Sequence, residues 1–343
     1  MTRINQYRTN PSQAISNFKG RWDSIFGWPS TAISTWLNGG LFGASYATVA
    51  SHTGTLRDAG DFKYYYFDAT GTLTTDKGGL ADVLIVGGGG GGGKGGTSRY
   101  TGGGGAGGFR LIEGITLVAG QENAITVGAG GASGTAATGL AGGFSRFDTP
   151  AGLDFYAGGG GGGGGSTNGG ASGVYAGTTG HGGAGGGGYA LQSYYGGTTG
   201  SGGAGGDYGA EGAAGYAHGS NNSASGGHGG GRYGDSPTGG LGACSLGTVR
   251  GSYNDWRTGS DLSYACGGSA VTVDSGSSNT NGYAQSDWTK DGTESGRIAG
   301  GKGHYNGTSA DRTATANTGG GGGGCYNGTG GTGGSGIVIL KLG

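Results

Sequence analysis

Asp82-Val-Leu-Ile-Val86 runs without a break into seven glycines, 87–93. An apolar, β-branched run is a strong strand signal, and here it feeds a stretch with no side chains at all. The pattern returns as Tyr156-Ala157 followed by glycines 158–165, and again at glycines 319–324. The chain has 343 residues, and 100 of them are Gly, against ordinary usage of about 7%.

Glycine loses the most backbone freedom on ordering, about 1–2 kcal/mol per residue for the backbone. Without side chains to bury, only main-chain donors and acceptors can offset that. A polyproline-II-type helix has three residues per turn and no internal hydrogen bonds, so its N–H and C=O groups point at neighbours. Side-by-side bonds of about 0.5–1.5 kcal/mol net each, helped by Cα–H···O contacts, are comparable with the entropy cost. Interior positions must then be Gly, because a Cβ would push the threads apart. The reading is an all-β fold plus a polyglycine-II helix bundle: a β-base clamps a glycine-rich sandwich that carries distal loops.

Composition narrows the function. Charged residues are 11% and the formal net charge is −1, which suits neither nucleic acid nor a disordered polyelectrolyte. Aromatics are 10%, with 19 Tyr and 5 Trp, more rings than a flexible linker uses. Collagen needs a strict Gly-X-Y register and abundant Pro; this chain has 4 Pro and breaks register at Gly188-Tyr-Ala-Leu-Gln-Ser-Tyr-Tyr-Gly196. No stretch reaches the ~20 apolar residues of a membrane span, and the N-terminus lacks a signal-type apolar region.

Residues 1–60 differ in kind. Glycine is sparse up to Asn38, and the large apolar residues include Phe18, Trp22, Trp28 and Trp36. Ile15, Phe18 and Trp22 have helical spacing. The segment is too small for a large core, so it reads as a mixed attachment segment that buries its rings on another chain.

From Asp61 the pattern becomes β. Strands are expected at 62–67, 72–75 after a turn at 68–71, 81–86, 108–112, 144–147 and 153–156. Residues 115–118 and 124–127 read as a hairpin. Residues 336–342 supply a terminal strand. The division is therefore 1–60 attachment, 61–156 with 336–342 the β-base, and 157–335 the glycine-rich body. Inserts between its glycine blocks hold Tyr194, Tyr195, Tyr208, Tyr253, Trp256, Tyr283 and Trp288. Tyr, Ser, Gly and Asn are what adaptable binding loops use, and loops on rigid scaffolds commonly carry function. These seven rings are the candidate binding residues.

Motifs for chemistry fail one by one. The strand and glycines at 83–92 mimic a dinucleotide fingerprint, but that needs a helix directly afterwards, and Lys94-Gly-Gly-Thr-Ser-Arg-Tyr-Thr-Gly cannot form one. Lys94 mimics a phosphate-loop lysine, with Gly95 where Ser or Thr is required. His52, His181, His218, His228 and His304 have no ligand spacing. Asp255, Asp261, Asp287 and Glu294 lie in inserts, where carboxylates can bind sugar hydroxyls. Cys244, Cys266 and Cys325 form no CxxC and are odd in number, so free thiols are expected. No catalytic set, cofactor or metal site is expected.

Four blocks in order carry a resemblance. They are Ala81-Asp-Val-Leu-Ile-Val-Gly-Gly-Gly-Gly, Gly102-Gly-Gly-Gly-Ala-Gly-Gly-Phe109, Ile125-Thr-Val-Gly-Ala-Gly-Gly131 and Gly333-Gly-Ser-Gly-Ile-Val-Ile339. Over residues 61–343 the chain resembles the glycine-rich domain of bacteriophage tail-fibre and virion proteins. In composition it is also similar to T-even-type phage tail-tip adhesins, whose polyglycine helices form a sandwich with variable distal loops. The resemblance implies a non-enzymatic virion protein, joined to other virion proteins through residues 1–60. Its loops would meet a host cell-surface glycan or outer-membrane protein, and a homotrimer is expected by analogy. A decoration protein of capsid or tail without a receptor role is the main alternative. An ice-binding glycine-rich protein, which needs a face of regularly spaced small residues, is the remote one. Nucleic acid is not an expected partner.

Overall fold

The structure is a computed structural model. It describes residues 45–96, 99–134, 138–165, 312–326 and 328–343, with shorter pieces at 169–170, 183, 185–188, 190–191, 201, 203–204, 216–217, 224–225, 264–268, 272–273, 300–301 and 303. Among the described residues the fold is all-β. The strands are β1 (Thr48–His52), β2 (Thr55–Ala59), β3 (Phe62–Phe67), β4 (Gly71–Lys77), β5 (Gly79–Val86), β6 (Arg99–Tyr100), β7 (Phe109–Leu117), β8 (Glu122–Thr126), β9 (Ser145–Asp148), β10 (Asp154–Ala157), β11 (Ala190–Leu191), β12 (Tyr216–Ala217), β13 (Ala224–Ser225), β14 (Thr272–Val273) and β15 (Ile337–Leu342).

Two five-stranded antiparallel sheets make the base, in the orders β2-β3-β15-β5-β7 and β1-β4-β8-β9-β10. Strand alternation decides the layers. Tyr65, Phe67, Val83, Ile85, Val338 and Leu340 face inward and meet Leu73, Ile125 and Phe147 of the second sheet in one buried core. Each such side chain contributes about 1.5–3 kcal/mol when fully buried. The outward set of the first sheet, Tyr64, Tyr66, Leu84, Val86, Ile337 and Ile339, is buried as well, against Phe109, Tyr264 and Ala265. Burial on both faces explains why 83–86 and 337–340 read as continuous apolar runs rather than alternating ones.

Several sequence expectations need correction. The expected hairpin of 115–118 and 124–127 does not form: β7 joins the first sheet and β8 the second. The chain likewise changes sheet between β3 and β4. Turn residues report a reversal of direction, not which sheet receives the next strand. Strand structure also begins before Asp61, because β1 and β2 belong to the two sheets. Residues 45–60 thus form part of the base rather than of a separate segment. Their polar, largely exposed edge sequence hides the alternation. Cys266 is disulfide-bonded, whereas Cys325 is a buried free thiol. An odd cysteine count leaves one thiol over; it does not forbid a bridge.

Beyond β5 the glycines leave the sheet but keep bonding sideways, with a repeat of three residues. Gly87, Gly90 and Gly93 donate to Gly108, Gly105 and Gly102. Gly88 and Gly91 donate to Gly143 and Leu140, and Gly89 and Gly92 to Gly334 and Gly331. Three further runs donate back: Gly131 to Gly89, Gly160 to Gly88 and Gly322 to Gly90, at 2.8–2.9 Å. The six neighbours also bond to one another in turn, through Gly333 to Gly131, Gly143 to Ala129, Gly142 to Gly160, Gly105 to Gly161, Gly104 to Gly322 and Gly334 to Gly320. Residues 87–93 therefore occupy the axis of a closed ring, in which antiparallel and parallel neighbours alternate. A Cβ on Gly90 would fall on the Gly161 carbonyl, one on Gly91 on that of Ala132, and one on Gly92 on that of Gly323. Between Thr318 and the run 320–324 the chain reverses at Gly319, whose φ of 67° suits glycine.

Candidate functional site

All seven candidate receptor residues, Tyr194, Tyr195, Tyr208, Tyr253, Trp256, Tyr283 and Trp288, lie outside the described residues. So do Phe18, Trp22, Trp28 and Trp36. What the structure fixes is where their inserts are rooted. Runs 87–93, 129–134 and 158–164 leave the sheets in the same direction, so the bundle has a base end and a far end. β11 pairs with β6, Ala190 opposite Tyr100, at the far end. The insert with Tyr194 and Tyr195 leaves there after Leu191 and returns at Ser201, whose carbonyl accepts from Gly169. The insert with Tyr208 runs from Ala204 to β12, and β12 and β13 lie against β11. The insert with Tyr253 and Trp256 starts after β13 but returns to the base end. There Ala265 N–H donates to Thr318 O at 2.8 Å, and Tyr264 is fully buried against the outer face of the first sheet. The insert with Tyr283 and Trp288 leaves β14 and returns at Gly300, beside Gly267.

The described far end is built from side chains that flank the glycine runs. Tyr100 and Tyr326 are joined by a backbone bridge, and their ring centroids are 4.7 Å apart at 31°. Tyr100 is fully buried, Tyr326 half-buried. Thr101 Oγ1 accepts from Cys325 N–H at 2.7 Å and donates to Cys325 O at 3.1 Å. The Cys325 thiol donates to Gly328 O at 2.9 Å, and Lys94 is exposed beside them, bridged through its backbone to Thr329. Threonine and thiol together satisfy the polar groups where the glycine lattice stops. Reading the inserts as the only aromatic sites misses Tyr100 and Tyr326. The usable signal is position: Tyr100 stands two residues before the glycine run 102–105 and Tyr326 two residues after the run 319–324, where side chains again become permissible.

Among the described residues no group of three or more His, Cys, Asp or Glu could hold a metal ion, and no helix is long and apolar enough to cross a membrane. The run 87–93 opens no helix; its amides go to neighbouring threads, unlike those of a phosphate-binding loop. No family model matches the chain, and no curated protein matches it.

Proposed function

We propose that this chain is a bacteriophage virion structural protein of tail-fibre or fibre-tip type, whose Tyr/Trp-rich inserts bind a receptor on the host surface. We also propose that its glycine runs are polyglycine-II helices. The three-residue hydrogen-bond repeat around residues 87–93 supports the second part. A single layout feature carries the first. The chain enters the base at Ser45, beside Gly79 and Leu80, at the pole opposite the end where the inserts with Tyr194, Tyr195 and Tyr208 are rooted. Between the two poles stands a shaft with almost no side chains. Such a body separates an attachment point from a contact surface. Tyr and Trp suit that surface, since they offer flat rings to sugars or apolar patches at little rotamer cost.

The test is adsorption. Particles carrying Tyr194→Ala, Tyr195→Ala and Tyr208→Ala together with Trp256→Ala and Trp288→Ala are expected to bind host cells less well than the parent; undiminished adsorption overturns the receptor reading. Slow amide exchange at Gly160 and Gly163, relative to a free glycine peptide, is the matching expectation for the helices.

One observation favours the ice-binding alternative. Ala129 and Ala132, Thr313 and Ala316, and Thr329 and Thr332 are exposed, every third residue of three neighbouring runs. That places regularly spaced small residues on one side of the bundle. Thermal hysteresis measured on the purified protein decides for or against it.

A further inference from the structure

At the pole remote from the glycine threads, β15 pairs with β5 as far as Lys341, opposite Asp82, and residues 45–47 lie beside β5 beyond it, Tyr46 bridged to Leu80. Leu80 N–H donates to Ser45 O at 2.9 Å, and Ala47 N–H to Leu80 O at 2.8 Å. From Thr48 onward the same strand pairs with β4 in the other sheet. This short stretch therefore straddles both sheets, and among the described residues two main-chain bonds tie it to the first.

One carboxylate reinforces them. Asp82 is 5% exposed and lies in the middle of β5, the single charge in that strand. Its Oδ2 accepts from Tyr46 Oη at 3.0 Å and from Lys341 Nζ at 3.2 Å. Its Oδ1 accepts from Gly114 N–H at 2.9 Å. That third bond depends on a β-bulge: Ala81 faces Ile115 and Val83 faces Ile112, so Glu113 and Gly114 together oppose Asp82. Gly114 has φ of 69°, which suits glycine at such a kink. Lys341 lies opposite Asp82 in register, and its ammonium sits 4.1 Å from the Phe62 ring centroid and 5.5 Å from that of Tyr46, within cation–π range. Tyr46 in turn stacks edge-on against Phe62 at 5.1 Å. Four stretches of chain, at 46, 82, 114 and 341, meet at one buried carboxylate, and Phe62 packs against two of its donors.

We infer that Asp82 is the keystone that fastens the incoming strand at residues 45–47 to the base, through Tyr46 directly and through Lys341 and Phe62 around it. A buried carboxylate left without these donors would carry a large desolvation cost, so the strand and the ion pair hold each other in place. In a virion protein anchored through its N-terminal segment, any pull on that segment reaches the sheets at this point. That use rests on the function proposed above; the fastening itself does not.

Residue-resolved amide exchange on the whole chain tests it. In Asp82→Asn, the amides of Ala47 and Leu80 should exchange about tenfold faster or more, the loss of one charge-assisted hydrogen bond, while Gly90 and Gly105 keep the parent's rates. Lys341→Met and Tyr46→Phe, each removing one partner, should show the same local effect in smaller measure and serve if Asp82→Asn does not fold. Unchanged exchange at Ala47 and Leu80 overturns the keystone. So does equal acceleration at Gly90, which would make Asp82 a contributor to general stability only. Because adsorption is read separately with the insert variants, failure of one idea leaves the other standing.

Discussion

The base and the threads solve one problem in opposite ways. In the base, side chains define position: Val83, Ile85, Val338 and Leu340 must face Leu73, Ile125 and Phe147, and a slip of one residue would turn them outward. Among the threads nothing distinguishes one glycine from the next, so a slip of three residues would cost little locally. Register there is inherited from the sheets. Val86 pairs with Ile337 and with Phe109, and the runs 87–93, 331–336 and 102–108 start or end at those residues. The lesson is that a lattice of main-chain bonds can provide an interior, but side chains must tell it where to begin.

The contrast can be broken most severely from the thread side. Gly90→Ala adds one methyl group, yet its Cβ would lie within the Gly161 carbonyl, in a ring of backbone with no flexible side chain to yield. Overpacking a core usually costs about 1–3 kcal/mol. Here the cost should exceed that range, and thermal unfolding should show loss of the folded state. Ala132→Gly, on the exposed side of a neighbouring run, should shift stability by less than about 1 kcal/mol. Equal effects at the two positions would remove the idea of an occupied axis.

In the base the corresponding insult is removal. Leu340→Ala leaves a cavity between the sheets and should cost about 2–5 kcal/mol, read as a lowered denaturation midpoint with the protein still folded.

Alkali should sharpen the difference further, because the titrating groups resolved among the described residues lie in the base. Burial, then the hydrogen bond to Asp82 and its charge, pushes the Tyr46 hydroxyl above the usual tyrosine range. Burial, then the charges of Asp58 and Asp76, does the same for Tyr65. For Lys341, burial alone would lower the ammonium, but its hydrogen bond and charge pairing with Asp82 outweigh this and hold it above the ordinary value. A folded pKa above the unfolded one means the folded state holds more protons between the two. The stabilisation is thus complete below about pH 10 and is lost as pH rises through the folded values. Denaturation midpoints should fall as pH rises above about 10, and less steeply in Asp82→Asn. The smallest effect belongs to Arg146→Ala. Its ion pairs to Asp148 at 3.1 Å and Asp154 at 2.7 Å are part-exposed, and such pairs contribute about 0–1 kcal/mol.

Much of the base was legible. Strands at 62–67, 81–86, 144–147, 153–156 and 336–342 announce themselves by apolar content, and the structure has them. The exchange of strands between sheets was not, because it depends on which surface is free to receive a strand, and that is a property of the assembled layers. Strands β1 and β2 were hidden for a different reason: as polar edges they bury little. Of the candidate site, the seven insert rings stand outside the described residues. Asp82 and Lys341 are visible in the sequence as the single charges within two apolar runs. A lone charge in a buried strand is a signal whose partner only the register supplies.

The position of β15 has a consequence for synthesis. It sits between β3 and β5, yet Ile337 leaves the ribosome 251 residues after Val86. At translation rates of about 5–20 residues per second that delay is about 12–50 seconds. Throughout it, β3 and β5 present bare edges, and the first glycine thread lacks part of its surrounding ring. A nascent chain with its central gap open for so long is a natural client for a chaperone.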